Sequence, residues 1–191
     1  GAGVAVSPSE GYPSHLIARR ALTEPGFESW GTQRGANPGG QSGTLTFPYY
    51  AVPGAPAGTR FDQFPGAPAV ANGTVIAFKG NYTDPTDGLG RTGVYYRDVA
   101  ANAGKSPVQL VANTATVIPN PPGAPVVTFG STAPPSAGNG YMVFTGLDIE
   151  EAPTRGGIYR APLQPSPALQ TLAGIGDQVP GEAEGVTFNA F

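Results

Sequence analysis

The chain repeats itself. The stretch "VQLVANTATVIP" at residues 108–119 returns 61 residues later as "LQTLAGIGDQVP" at 169–180, with no gap. An internal period constrains a fold more than any single residue, because one supersecondary unit must satisfy several copies of the pattern. Extending the match recovers more parallels in the same order. "TVIAFKG" (74–80) pairs with "GYMVFTG" (140–146), and "TGVYYR" (92–97) with "GGIYRA" (156–161). The offsets are 66 residues from Phe78 to Phe144, 64 from Tyr95 to Tyr159 and 61 from Pro119 to Pro180. That drift is what loops of unequal length between matching strands produce.

A third element opens each unit. "VPGAPAGTRF" (52–61), "IPNPPGAPVVTF" (118–129) and "VPGEAEGVTF" (179–188) share an aliphatic-Pro start, a Gly/Pro/Ala loop and a closing Thr and Phe. Short apolar runs bounded by Gly and Pro read as strands between turns. Strands are expected at 59–64, 74–79, 93–97 and 108–112 in one unit. In the next they are expected in the segment ending at Phe129 and at 141–145, 157–160 and 169–173. "VIAF" and "YMVF" are apolar without alternation, which predicts strands covered on both faces. No apolar i, i+3, i+4 spacing announces a helix.

Four strands in about 60 residues, written more than once, is the grammar of a propeller blade. The expected fold is therefore all-β, with blade-like four-stranded repeats forming a partial β-propeller or propeller-like array. A β-sandwich is the alternative. The single domain 1–191 divides into an irregular part at 1–51, repeat units at 52–117 and 118–178, and the start of a further unit at 179–191. In the first part, 15–25 reads as the tail of an earlier unit, 27–43 as loop and 44–50 as one strand. Two units are too few to close a ring of 4–8 blades. Open edges pair with other chains, so an intermolecular contact is expected at one or both ends, through Val186, Phe188 and Phe191.

Composition narrows the function classes. The chain has 29 Gly and 22 Pro among 191 residues, enough to raise the question of disorder. Nine Phe and eight Tyr answer it, since disordered segments are poor in aromatics. Net charge is −3 with no basic stripe, so nucleic acid is not an expected partner. No apolar run reaches the ~18 residues of a membrane span. With no cysteine there is no disulfide framework, thiolate metal site or Cys nucleophile.

The repeated pattern resembles bacterial secreted tandem-repeat proteins, whose repeats carry an Asn/Gly turn and then a strand ending Ala-Phe. The matching residues are "ANGTVIAFKG" (71–80) and "GNGYMVFTG" (138–146), followed by "GVYYR" (93–97) and "GGIYR" (156–160). Segments 110–120 and 172–181 match the run that ends in a Pro-Gly turn, and the resemblance covers about 57–191. It implies a propeller-like fold, export to an extracytoplasmic place, secreted or at the cell surface, and no established chemistry.

Few residues point to chemistry. His15 is the only histidine, so a Ser-His-Asp triad or a His-based zinc site would have to use it. Two acidic loops, "NYTDPTDGLGRTG" (81–93) and "LDIEEAPTRGG" (147–157), occupy the same place in successive units. Asp84, Asp87, Asp148, Glu150 and Glu151 offer oxygen ligands for Ca²⁺, the one cofactor the chain suggests. The plainer reading is a turn whose Asp and Thr bond their own backbone, with Arg pairing locally. Trp30, Phe47, Tyr49, Tyr50 and Tyr82 are candidates for an aromatic binding surface, with Arg91 and Arg155 at the loop ends. The leading expectation is a non-enzymatic structural subunit that pairs through strand edges with itself or another protein. A carbohydrate- or ligand-binding module using the two loops is the alternative. A hydrolase ranks last, for want of a nucleophile–base pair or two carboxylates placed across a cleft.

Overall fold

The computed structural model describes residues 29–36, 42–48, 51–104, 106–119 and 123–191; for 29–36, 42–48 and 103–104 the backbone alone is described. The chain is all-β and antiparallel. Among the described residues the one helical element is a 3-10 turn at Ala101–Gly104, and no helix is long and apolar enough to cross a membrane.

β1 (Ser29–Ala36) and β2 (Ser42–Pro48) form an antiparallel hairpin. The loop expected across 27–43 is thus partly strand. "SWGTQRGA" has little β-propensity of its own, so its extended state comes from the ladder with β2. His15, Tyr49 and Tyr50 lie outside the described residues. Trp30 and Phe47 fall in β1 and β2.

Sheet 1 has the order β3-β4-β5-β6: Ala69–Ala71, Val75–Thr83, Gly90–Asp98 and Gln109–Asn113. Sheet 2 runs β7-β9-β10-β11, with β8 beside β7 on the same edge of β9. Its strands are Ser131–Thr132, Ser136–Gly138, Tyr141–Leu147, Gly156–Pro162 and Gln170–Gly174. The ladders shift register at matching places: between Val94 and Tyr95 against β6, and between Ile158 and Tyr159 against β11. The first strand of each sheet differs from expectation. Thr128, expected in a strand, makes only a bridge to Val117, and Gln63 only a bridge to Asn81; the paired segments start later, at Ala69 and Ser131. The Pro residues at 65, 68, 134 and 135 break the extended runs, since Pro cannot donate to a ladder.

The three Pro-rich openers share one bonding pattern. The Val52 amide donates to the Thr59 carbonyl at 3.0 Å, Ile118 to Val127 at 2.8 Å, and Val179 to Val186 at 2.9 Å. Each loop closes in an isolated bridge: Ala51 with Arg60, Val117 with Thr128, Gln178 with Thr187. The first two deliver a Phe onto a glycine of the following sheet. A Cβ on Gly80 would stand 2.5 Å from the Phe61 ring, and one on Gly146 2.5 Å from Phe129.

Sheet 2 packs on sheet 1 through a shared core. Val75, Ala77, Val94, Tyr96 and Val111 from sheet 1 meet Met142, Phe144, Tyr159 and Ala161 from sheet 2, with Phe129 among them. The opposite face of sheet 1 has its own cluster of Ile76, Phe78, Tyr82 and Tyr95, packed with Val52, Phe61, Phe64 and Val108. Both faces of β4 are therefore buried at Val75–Phe78, which is why the apolar residues there do not alternate.

Candidate functional site

The β4–β5 hairpin and the turn after β9 meet at one seam. There a groove of about 350 Å³ runs between the end of β4, the start of β5, β7 and Glu150. Asp62, Lys79, Asn81, Tyr82 and Arg91 contribute to its walls. The seam is pinned by a bond between the buried hydroxyls of Thr92 and Thr132, 2.9 Å apart. The Thr83 hydroxyl donates to Asp62 Oδ2 at 2.8 Å across the rim.

Lys79 faces sheet 2 because it alternates with Ala77 along β4 and lies opposite Val94. Desolvation lowers its pKa below the ordinary lysine value, partly offset by Glu150. Asn81 Oδ1 is buried with no hydrogen-bond partner among the described residues. A buried acceptor left unsatisfied costs free energy, and this one belongs to a residue that lines the groove. The walls offer cation donors from Lys79 and Arg91, carboxylate acceptors from Asp62 and Glu150, and an amide. That set suits a small hydroxylated ligand bound by hydrogen bonds.

The acidic residues serve their own loops. Asp84 Oδ1 accepts from the Thr86 amide and Asp87 Oδ1 from Leu89, each at 2.9 Å. Arg91 bonds Asp87 and reaches Asp84 Oδ2 at 3.9 Å. Asp148 Oδ1 accepts the amides of Ile149, Thr154 and Arg155 at 2.9–3.0 Å, while its Oδ2 takes the Thr154 hydroxyl. Burial pulls the Asp148 pKa upward, but the Thr154 hydroxyl and the amides of Arg155, Thr154 and Ile149 outweigh it, holding the carboxyl below its ordinary value. Glu150 and Glu151 are exposed. Among the described residues no three His, Asp or Glu side chains gather as a metal site, and the calcium reading is carried no further.

Arg155 does not line the groove; its Nη1 donates to the Pro125 carbonyl at 3.4 Å, in the opener before sheet 2. Tyr82 is 4% exposed and also belongs to the outer cluster of sheet 1. Residues 186–191 form no strand. Thr187 bridges Gln178, the Phe188 carbonyl accepts the Gly176 amide at 2.8 Å, and the Phe188 ring lies tilted against Phe191 with centroids 5.4 Å apart. Val186 and Phe191 are exposed. Among the described residues, the outer strand on that side of sheet 2 is β11, which pairs with β10 alone.

Sequence reading passed over Asp62 and Lys79, while Asn81 stands at the start of the loop 81–93 that it named. Lys79 carried a usable signal, a lone charge directly after "VIAF". It also passed over Arg97, 1% exposed, whose Nε donates to the Ser106 carbonyl at 2.8 Å and ties down the turn after β5. Compared with protein-family models, with characterised proteins and with solved structures, the chain matches none.

Proposed function

We propose that the protein is a non-enzymatic, extracytoplasmic structural subunit, built from blade-like units and assembling with itself or a partner through β elements beyond sheet 2. One observation carries the reading. The opener at 179–188 has the bonding of the two openers that each lead into a sheet, yet its apolar Val186, and Phe191 just after it, are exposed. The two sheets support the blade reading through their aromatic trios. Phe61, Phe78 and Tyr95 have centroids 4.9–6.0 Å apart, and Phe129, Phe144 and Tyr159 have centroids 5.1–6.0 Å apart. In both, the first Phe meets the Tyr edge-on, at 83° and 81°. The extracytoplasmic location rests on the resemblance to secreted tandem-repeat proteins. The test is the mass of the chain in solution with and without residues 186–191. Assembly that disappears on truncation supports the reading; identical masses refute it.

The groove favours a second reading, a binding module for a small hydroxylated ligand such as a glycan. Asn81 Oδ1, buried at the wall with no partner among the described residues, is the observation behind it. Binding on a glycan array should weaken at least tenfold in Lys79→Met, a change that keeps the side-chain stem. An array with no bound glycan ends this reading.

A further inference from the structure

The two sheets present faces of unequal fate. The face of sheet 1 that receives sheet 2 carries Val75, Ala77, Val94 and Val111, none more than 9% exposed. Their counterparts by strand order and register are Tyr141, Val143, Ile158 and Leu172. The correspondence is fixed at two points. Val94 opposes Ala112 as Ile158 opposes Ala173, and the register shift beside each pair sets Val111 and Leu172 as the extra residue. On sheet 2 these positions are uncovered: Leu172 is 51% and Tyr141 37% exposed, with Val143 and Ile158 half-buried. Arg160 takes the place of Tyr96 and lies over the Tyr141 ring, 3.5 Å from its centroid.

We infer that this outer face of sheet 2 is a docking surface for a further sheet of the sheet-2 pattern, brought to it by the opener at 179–188. The inference rests on the assembly reading and specifies its contact as face to face. Three observations select the occupant. Within the chain, this kind of face is covered by a sheet bearing a Phe–Phe–Tyr trio. The segment leaving β11 is already folded as the openers that precede such sheets. A second copy of the chain as folded does not offer that trio, because Phe78 and Tyr95 of sheet 1 are 2% and 0% exposed under Phe61, Phe64 and Val52. The partner is thus an antiparallel sheet with an aromatic inner face, seated beside the opener at 179–188. Buried aliphatic and aromatic area drives the contact, and sheets pack about 10 Å apart.

The experiment continues the chain from Phe188 with a duplicate of residues 130–178 in place of residues 189–191. The expected result is one cooperative unfolding transition, with a midpoint at least about 5 °C above that of the unextended chain. Ile158→Asp and Leu172→Asp should erase that gain in the extended chain, and shift the unextended chain by much less because they are half-buried and exposed there. A duplicate that unfolds separately, or variants that lower both chains equally, would overturn the inference. Dimers of the unextended chain that Leu172→Asp dissolves would overturn it too, by making a second copy the occupant. The assembly reading fails on a different measurement, the mass of the unextended chain with and without 186–191. An assembling chain with no gain on extension leaves that reading standing and removes this one.

Discussion

At the scale of the residue, Tyr159 shows how position changes chemistry. Burial raises its phenol from 10.0 to about 12, helped by the charges of Asp148 and Asp177. Tyr95 moves further in the same direction, desolvation leading and Tyr82 adding. Below pH 10 the phenol is neutral in the folded and unfolded chains, and its contribution is fully present. Between pH 10 and 12 the unfolded chain has released this proton and the folded chain retains it, so stability falls as pH rises. Urea midpoints at pH 9 and 11 should differ for the wild type, with a smaller drop in Tyr159→Phe. An equal drop in both would show that the Tyr159 phenol is as free to ionise folded as unfolded. The sequence showed that Tyr95 and Tyr159 were equivalent. It did not show that they were buried, because burial depends on Phe61 and Phe129, which reach the glycines facing them from outside the ladders.

At the scale of the element, the most legible features are the Asn-Gly turns. Asn72-Gly73 and Asn139-Gly140 hold positive φ throughout, 50° and 74° in the first turn, 50° and 77° in the second. Consecutive positive φ values match the right-handed twist of a hairpin, and Asn-Gly adopts them at least cost. A Cβ on Gly140 would meet nothing within 4 Å. Gly140→Ala therefore isolates the backbone cost of a left-handed residue, about 1–2 kcal/mol of stability. Urea denaturation measures it, and a loss near zero would mean the turn relaxes to another form. β4 was legible for a similar reason, its unbroken apolar run reporting two covered faces, but the same reading of "YMVF" fails in β9, where Tyr141 is exposed and Val143 half-buried. β3, β7 and β8 were not legible. At three residues or fewer each, they have too few side chains to show a period and exist because β4 and β9 offer an open ladder. β1 is the same case on a longer strand.

At the scale of the molecule, one core joins the two sheets, so they are expected to unfold together. Phe144 is 2% exposed within it, between Phe129 and Tyr159. Phe144→Ala should cost about 3–5 kcal/mol, from lost burial and the cavity left behind. Fluorescence and far-UV circular dichroism should report one midpoint for the wild type and one lower midpoint for the variant. Separate transitions would mean the sheets are independent units. The groove also belongs to this scale. Tyr82 and Arg91 come from sheet 1 and Glu150 from the turn beyond β9, so no local pattern could have grouped them. Arg155 mirrors Arg91 in sequence yet bonds Pro125 instead, because its loop is held by Asp148 and lies beside a different opener.

The all-β class and the Asn-Gly turns were readable from the residues alone. These follow from local rules, the allowed φ of each residue and the alternation of side chains along a strand. Which faces are covered was settled by packing. Val94 and Ile158 occupy equivalent places, yet Val94 is fully buried and Ile158 only half-buried. The difference is the presence of a neighbouring sheet, and burial depends on what packs against a residue rather than on the residue itself.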